Sequence, residues 1–374
     1  MNERERYIAS LTFGNPDKVS LQVGRGREST LKRWHSEGLP EGVDPLAFVL
    51  GELGLPFERG EESVDFLVNS KMIPTFEEKI LSHENGHYIV QDWMGAITEI
   101  SDEYDYTYIR KAIDFVTRKW HKFPVERRED WEEMKKRYDP HDPQRFSPDL
   151  KEKGAALKNR DHPIVLNING PFWQAREWMG LENLCMAFID EADLVGDMME
   201  FWAGYMEEIF KGFLPYVQPD CIRIHEDMAY KAHSMLSPTM TREYIKPVYL
   251  RWVKLIKEHG VPIIDLDCDG YIEELIPIWI ESDINVCDPI EVAAGNDIAR
   301  FRKVFGTKIG YSGGVDKRAI AKGGSVLEEE MNRIAPVVEA GGYIPGCDHG
   351  IPNDVPFNNY RDFVKLTAKI TGWL

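Results

Sequence analysis

The chain has 374 residues, is 43% hydrophobic, and carries a formal net charge of −18 from 45 basic and 63 acidic residues. This acidic balance disfavours nucleic acid or an anionic membrane surface as a partner. The N-terminus lacks an apolar leader and no run of about 18 apolar residues follows, so we expect a cytoplasmic protein without membrane spans. The five cysteines are an odd number without a C-x-x-C pair, which indicates reduced thiols.

The first half of the chain shows scattered elements. The pattern predicts helices over 3–12 and 28–37, and strands over 19–23 and 63–68. Asn85-Gly86 predicts a β-hairpin within 75–100. Residues 101–160 are polar, aromatic and proline-bearing, and are predicted to be the least regular part. We interpret 75–160 as an insertion within a single domain that spans residues 1–374.

From residue 162 onward, strands and helices alternate. Strands are predicted at 162–168, 221–225, 261–267, 284–287, 308–311 and 343–344. The helices are predicted at 171–216 with a break at 178–180, and at 238–259, 271–282, 297–305, 327–340 and 358–374. With the two earlier strands this predicts an α/β fold of the (β/α)8 TIM-barrel type with an elaborated N-terminal region. An open doubly wound sheet is the alternative, but no G-x-G-x-x-G motif follows the first strand.

Three aspartates, Asp265, Asp267 and Asp269, fall at alternate positions at the end of the strand over 261–267. Alternate residues share one face of a strand, so these carboxylates lie together. A second strand end carries Cys347, Asp348 and His349. Because active sites in such barrels form at the carboxyl ends of strands, we expect the two ends to meet and hold a divalent metal.

Carboxylate and imidazole ligands suit zinc or another first-row metal. Asp269 alternatively caps the helix that follows it, and Asp265 lies deeper and is expected to be a structural acid. Cys268 points to the opposite face, whereas Cys347 is a further candidate ligand.

Other polar residues follow predicted strand ends. Glu226, Lys231 and Asp267 are the candidate catalytic residues. The candidate substrate-binding residues are Arg25, Arg27, Asn69 and Tyr311.

Several stretches resemble the uroporphyrinogen decarboxylase superfamily. They are P-I-I-D-L-D-C-D-G at 262–270, P-I-E-V-A-A-G at 289–295, G-G-V-D-K at 313–317, and G-G-Y-I-P-G-C-D-H at 341–349 followed by P-N-D-V at 352–355. The resemblance covers most of the chain and is strongest after residue 162. It implies a (β/α)8 barrel that often forms homodimers.

Two branches of the superfamily imply different functions. The porphyrinogen decarboxylases resemble the chain at Q-V-G-R, residues 22–25, and use arginines and an aspartate without metal; Asn69 stands here in place of that aspartate. The cobamide-dependent methyltransferases bind zinc through His-x-Cys and a distant Cys. Those three positions match Asp267, Asp269 and His349, with Cys347 nearby. The change from soft to hard ligands favours an oxygen-bearing substrate such as a methyl ether.

The leading hypothesis is a metal-dependent methyltransferase that moves a methyl group between a small, methoxylated substrate and a corrinoid carried by a partner protein. The resemblance implies that Asp267, Asp269 and His349 bind zinc or another divalent metal, with Glu226 as a fourth candidate ligand. Lys231 and Arg25 then orient the substrate, and the activity is O-demethylation.

Two other functions stay open. One is a cofactor-free decarboxylase of the uroporphyrinogen decarboxylase type, in which Arg25 and Arg27 anchor carboxylates and Asp267 is the charge partner. The other is a non-catalytic binding barrel whose acidic rim is bare surface.

Overall fold

The protein is built on a seven-stranded parallel sheet and a separate four-stranded antiparallel sheet. The structure, a computed structural model, describes residues 1–106 and 117–374. Its strands are β1 Glu62–Ser63, β2 Lys79–Glu84, β3 His87–Gln91, β4 Ile97–Ser101, β5 Arg118–Lys122, β6 Ile164–Asn169, β7 Cys221–His225, β8 Ile263–Asp267, β9 Val286–Asp288, β10 Gly310–Val315 and β11 Tyr343–Cys347.

The helices surround the parallel sheet. They are α1 Glu3–Leu11, α2 Glu28–Ser36, α3 Pro45–Glu52, α4 Arg128–Lys135, α5 Leu150–Ala156, α6 Pro171–Met179, α7 Leu181–Asp190, α8 Ala192–Phe213, α9 Pro238–Met240, α10 Lys246–Glu258, α11 Ile276–Glu281, α12 Ile298–Phe305, α13 Lys317–Lys322, α14 Gly324–Glu339 and α15 Phe357–Ile370. No helix of the described residues is long and apolar enough to cross a membrane.

The parallel sheet has the order β1-β6-β7-β8-β9-β10-β11. Because sequence neighbours from β6 onward are also neighbours in the sheet, each crossover is a local β-helix-β unit, and the predicted α/β alternation is confirmed. The prediction of a strand over 63–68 is wrong beyond Ser63. There Asp65–Leu67 forms a 3₁₀ turn, since the Asp65 carboxylate accepts hydrogen bonds from the Asn167 backbone at 2.8 Å and side chain at 2.9 Å.

The segment over 19–26 lies beside the last strand of the sheet. The Cys347 N–H donates to the Val23 carbonyl at 3.1 Å, and the Ile351 N–H donates to the Arg25 carbonyl at 2.9 Å. Gly26 and Ile351 form a parallel bridge. Among the residues described, no strand pairing joins this segment to β1, so an eight-stranded closed barrel stays a prediction.

The hairpin prediction is confirmed. β2 and β3 pair in antiparallel fashion across Asn85 and Gly86, whose φ angles are 52° and 77°. Positive φ at both turn positions matches the twist of a two-residue hairpin. β4 and β5 extend this hairpin into the second sheet. Within the range predicted to be irregular, β5, α4 and α5 form, while residues 107–116 lie outside the described part.

Glycine and proline set several helix boundaries. The predicted break near 178–180 occurs at Gly180, where φ is 79° and the Phe123 ring occupies the place of a side chain. The helix predicted over 238–259 is interrupted by a π turn, Thr241–Ile245, just before Pro247. The helix predicted over 271–282 begins only at Ile276, where Pro277 occupies the first turn. Proline lacks the N–H that a helix interior requires but is tolerated in the first turn.

A buried acid at the start of α1 gives the fold a pH dependence. The Glu3 carboxylate pairs with Arg6 at 3.0 Å and also contacts the Ser20 hydroxyl. Burial, reinforced by the neighbouring Glu58, raises the pKa of Glu3 from 4.5 to about 7. The folded state therefore holds this proton more tightly than the unfolded state, and the resulting stability is complete below pH 4.5 and lost as the pH rises through 7.

The free energy of unfolding of the wild type should fall as the pH rises from about 5 to about 8. In Glu3→Gln we expect this decrease to be smaller by about 1–3 kcal/mol. Urea unfolding of both proteins at several pH values measures the difference. The exposed Glu182→Gln is the control and should follow the wild-type curve. If Glu3→Gln also follows the wild-type curve, this acid does not titrate as described.

Candidate active site

Neighbouring strands place a histidine and an aspartate side by side at the carboxyl edge of the sheet. His225 ends β7 and Asp267 ends β8, and the parallel ladder aligns them as direct partners. The His225 Nδ1 lies 2.8 Å from the Asp267 Oδ2. Burial lowers the pKa of His225, but the hydrogen bond and negative charge of Asp267 outweigh burial and raise it to about 9.

Asp227 completes a cluster with ligand chemistry. One donor atom from each of His225, Asp227 and Asp267 lies within 4.8 Å of the other two. The backbone at Asp227 has a φ of 38°, and its carboxylate accepts the Asp269 N–H at 2.9 Å. A non-glycine residue with positive φ is strained, and such strain concentrates at functional sites. One imidazole and two carboxylates fit zinc or a similar first-row ion.

Asp269 and His349 form a second pair beside this cluster. The His349 Nε2 lies 3.1 Å from the Asp269 Oδ2. The His349 Nδ1 accepts the Gly350 N–H at 2.6 Å and lies 3.2 Å from an Arg27 guanidinium nitrogen. With Nδ1 accepting, Nε2 carries the proton that it donates to Asp269. Burial raises the pKa of Asp269, but the hydrogen bond from His349, together with the positive charges of His349, His225 and Lys317, outweighs burial and leaves the pKa below its ordinary value.

The ligand set predicted from the sequence is thus divided in the structure. Asp267 lies with His225 and Asp227, whereas Asp269 lies with His349. The two strand ends do meet, as the sequence predicts, because His349 bonds to Asp269, and Asp269 also bonds to Asp227. The sequence does not single out His225 or Asp227 as candidate ligands, although His225 ends β7 and Asp227 lies two residues beyond it. The cluster can be identified only from the register between β7 and β8, which pairs His225 with Asp267.

Glu226 points away from the cluster. Its carboxylate accepts the Trp173 N–H at 2.9 Å and the Tyr249 hydroxyl at 2.5 Å, and it is fully buried. Burial raises the pKa of Glu226 to about 7. Behind the strand rather than on its inner side, Glu226 lies outside the group that can share a metal with Asp267. Its role as a fourth ligand stays a prediction, and in the structure its carboxylate is held by Trp173 and Tyr249.

Cys347 is also buried outside the cluster. Its side chain packs against Gly24, and burial raises the pKa of its thiol to about 12. A thiol with such a high pKa does not ionise readily into the thiolate that binds metal. The adjacent Asp348 accepts the backbone N–H groups of Val292 and Lys317 at 2.9 and 3.1 Å, so it fastens the loops around the site.

The remaining predicted residues occupy different places. Arg25, Asn69 and Lys231 are exposed near the carboxyl edge, and the Asn69 side chain accepts the Lys71 N–H at 3.0 Å. Tyr311 is the exception. It is fully buried near the start of β10, where the Arg302 guanidinium carbon lies 5.3 Å from its ring centroid, and its substrate-binding role stays a prediction.

A buried ion network lies beneath the cluster. Arg223 bonds to Asp265 at 2.8 Å and to both carboxylate oxygens of Glu61 at 3.1 and 3.2 Å, and it lies 3.7 Å from Asp288. Asp265 is 1% exposed, in agreement with the structural role expected for it. Burial and the nearby Asp265 raise the pKa of Asp288 well above its ordinary value.

The cluster opens onto a cavity of about 260 Å³, which we name the inner chamber. Its walls include His225, Asp267, Arg223 and Lys71. A concave site with ligand-type side chains and a few convergent polar groups is the usual form of an active site. The carboxyl edge of a parallel α/β sheet is also where such sites are found.

The fold and this edge define the class of parallel α/β proteins with a site at the carboxyl ends of the strands. The family model for uroporphyrinogen decarboxylase (URO-D) matches residues 112–370, which is more than half of the chain. The chain belongs to the uroporphyrinogen decarboxylase family. The resemblance found in the sequence is thereby confirmed.

Solved structures are similar to the chain at low sequence identity. A methyltransferase from Methanosarcina mazei is 16% identical over 99% of this chain and 99% of its own, with a TM-score of 0.60. At that identity the likeness shows a shared fold. A B12-independent methionine synthase from Shewanella sp. W3-18-1, in complex with selenomethionine, is 12% identical over 61% of this chain and 67% of its own, with a TM-score of 0.39. No curated protein sequence matches the chain.

Proposed function

We propose that the protein is a metal-dependent methyltransferase that moves a methyl group between a small methoxylated substrate and a corrinoid carried by a partner protein. The observation that carries this proposal is the cluster of His225, Asp227 and Asp267, of which His225 and Asp267 line the inner chamber. A cytoplasmic location, a homodimer and closure of the barrel by the segment over 19–26 are further parts of the proposal. Whole-chain similarity to a solved methyltransferase supports it at the level of the fold.

The donor set fits a hard Lewis-acid metal. Asp267 and Asp227 offer carboxylate oxygens and His225 an imidazole nitrogen, and three protein ligands leave a position open for substrate. The chemistry that a zinc ion supplies when bound here is stabilisation of negative charge on a substrate oxygen. Asp269 and His349 adjoin the set and are held by their own hydrogen bond.

The surrounding residues hold His225 in one orientation. The Trp173 ring packs edge-on against the imidazole with the ring centroids 4.1 Å apart. Trp173 is itself fixed at two points, because its backbone N–H bonds to Glu226 and its indole N–H to Glu177, both at 2.9 Å. Groups behind a ligand commonly fix its orientation and tune its basicity.

The proposed methyl transfer is a two-electron displacement in which one bond to the methyl carbon breaks and one forms. The ether C–O bond breaks and its electron pair stays on the oxygen, which takes up a proton to become an alcohol. The methyl group passes to the cobalt of the partner's corrinoid, and cobalt(I) supplies the electron pair of the new bond. The chain's part is to bind the ether, orient it and exclude water.

Metal content and methyl transfer test this proposal together. We expect about one zinc per chain by elemental analysis, and transfer from 2-methoxyphenol to free cob(I)alamin, followed by the absorbance change of the corrinoid. Treatment with a chelator should abolish transfer, and added zinc should restore it. Full activity in metal-free protein would overturn the metal dependence, and no transfer from any methoxylated compound would overturn the reaction.

The alternative is a cofactor-free decarboxylase, which the family match and two cations favour. Lys71 and Arg223 line the inner chamber beside Asp267, and although Arg223 is paired with Glu61 and Asp265, a substrate carboxylate would meet the positive charge of Lys71 there. Arg25 and Arg27 lie at the same edge. Release of carbon dioxide from uroporphyrinogen, unaffected by chelators, would favour this function over methyl transfer.

A further inference from the structure

We propose that a second cavity beside the inner chamber binds an organic anion with an aromatic body, and that Lys71 anchors its charge. This inference deepens the proposed function, on which it rests, by naming the substrate class. The second cavity, which we name the outer chamber, has a volume of about 690 Å³. That volume is within the range of small-molecule sites.

Two chain segments form the outer chamber, residues 65–71 and 143–148. They run antiparallel, with a bridge between Val68 and Phe146. The Asn69 N–H donates to the Arg145 carbonyl at 2.6 Å, and the Ser147 N–H donates to the Leu67 carbonyl at 3.0 Å. Backbone pairing therefore holds the walls together before a ligand enters, which lowers the entropy lost on binding.

The outer chamber adjoins the inner chamber. Asp65, Lys71 and Asn167 line both cavities. His225 and Asp267 lie on the inner chamber. A molecule whose body occupies the outer chamber can thus present one end to the cluster, with Lys71 beside the junction.

Arg145 gives the outer chamber a buried positive charge. Its side chain is 0% exposed, and its guanidinium donates to the backbone carbonyls of Asn69, Lys71, Arg137 and Asp139. Among the described residues, no carboxylate oxygen lies within 4.0 Å of an Arg145 guanidinium nitrogen, so Arg145 forms no ion pair there. Carbonyl groups satisfy its hydrogen bonds but leave its full charge in place.

Lys71 adds a second cation without an acidic partner. Its ammonium lies 5.3 Å from the Trp93 ring centroid, and the part of the chain that the structure describes contains no ion pair to it. Among the described residues that line the outer chamber, Asp65 is the acidic one. Its two carboxylate oxygens accept hydrogen bonds from the Asn167 backbone N–H at 2.8 Å and from the Asn167 side-chain amide at 2.9 Å. The wall is therefore net positive on a chain of charge −18, which selects for an anion.

The rest of the wall suits an aromatic body. Phe66, Phe146, Pro143 and Pro148 line the outer chamber, and Phe66 remains 60% exposed. Aromatic and proline side chains supply apolar contact area for a ring. The chamber thus offers an apolar surface and a cation, the two features that bind an aromatic carboxylate.

Lys71 has one competing structural role, since its charge also acts on the buried Glu177. The Glu177 oxygens already accept the Trp173 indole N–H at 2.9 Å and the Asn169 amide at 3.1 Å. If Lys71 served only Glu177, its loss would lower stability and leave ligand selectivity unchanged.

Calorimetric titration with 4-methoxybenzoate and its neutral amide, 4-methoxybenzamide, tests the proposal. We expect the wild type to bind the acid roughly 10- to 100-fold more tightly than the amide. Lys71→Met should remove that preference and Lys71→Arg should retain most of it. Lys158→Met, which removes an exposed lysine outside both chambers, should bind as the wild type does.

Equal binding of acid and amide by the wild type, a preference that survives in Lys71→Met, or no binding of the acid at millimolar concentration would overturn the proposal. Thermal unfolding of each variant confirms that it is folded. Titrations with added zinc and with a chelator separate this inference from the proposed function. If the protein prefers the anion but neither binds metal nor transfers methyl groups, the proposed function alone is overturned. If it transfers methyl groups but does not prefer the anion, this inference alone is overturned.

Discussion

Replacing His225 with glutamine is expected to lower the affinity for zinc by about 100-fold or more and to abolish methyl transfer. Changes to groups that merely support a ligand already reduce metal affinity by about 10- to 100-fold, and His225 supplies a donor atom itself. The amide of glutamine is a much weaker ligand than imidazole. Elemental analysis after dialysis and competition with a coloured chelator measure the loss.

Two other histidine-to-glutamine variants serve as comparisons for His225→Gln. His233→Gln changes a residue that is 81% exposed at the same edge, and should keep wild-type zinc affinity. His349→Gln breaks the pair with Asp269, and should lower zinc affinity by no more than about tenfold. If instead His349→Gln loses zinc completely and His225→Gln retains it, the metal is bound by the residues predicted from the sequence.

Arg223→Met is expected to lower the free energy of unfolding by about 3–5 kcal/mol. Arg223 bonds to Glu61 and Asp265 inside the sheet, with Asp288 nearby. Methionine fills a similar volume but leaves the buried Asp265 and the largely buried Glu61 and Asp288 without their cation. Removing one partner of a buried ion network costs far more than the network itself contributes. Urea unfolding followed by far-ultraviolet circular dichroism measures the change.

Arg251→Met is the control for that experiment. Arg251 also pairs with two acids, Glu200 and Glu207, but on the surface of α8 and α10. Partly exposed ion pairs contribute about 0–1 kcal/mol, so this variant should unfold close to the wild type. Equal losses in the two variants would show that the network beneath the site is not shielded from water as described.

The sequence predicts those parts of the fold that depend on local chemistry. Asn85-Gly86 specifies a hairpin because both residues tolerate positive φ. Gly180 ends a helix where no side chain fits beside Phe123. The alternation of strands and helices after residue 162 follows from hydrophobic periodicity and turn residues, and it is confirmed. Such signals are contained within a few neighbouring residues.

The parts that the sequence does not reveal depend on distant partners. β1 ends at Ser63 because Asp65 is held by Asn167, about one hundred residues away. The cluster around Asp267 depends on which residue of β7 lies opposite Asp267. That register is a property of the two paired strands and cannot be predicted from the sequence of either strand alone. The positive φ of Asp227 is likewise imposed by its surroundings, because aspartate itself does not require it. The sequence motifs point to the same edge of the sheet as the cluster but include only Asp267 of its three residues.

The pairing of His225 with Asp267 has an evolutionary consequence. Their separation is set by main-chain hydrogen bonds between two strands, so it does not depend on the chemical type of either side chain. Histidine, cysteine or a carboxylate could replace one another at these two positions while the donor atoms stay near the same point in space. A lineage could therefore exchange one metal preference for another by single substitutions, without passing through an unfolded intermediate sequence.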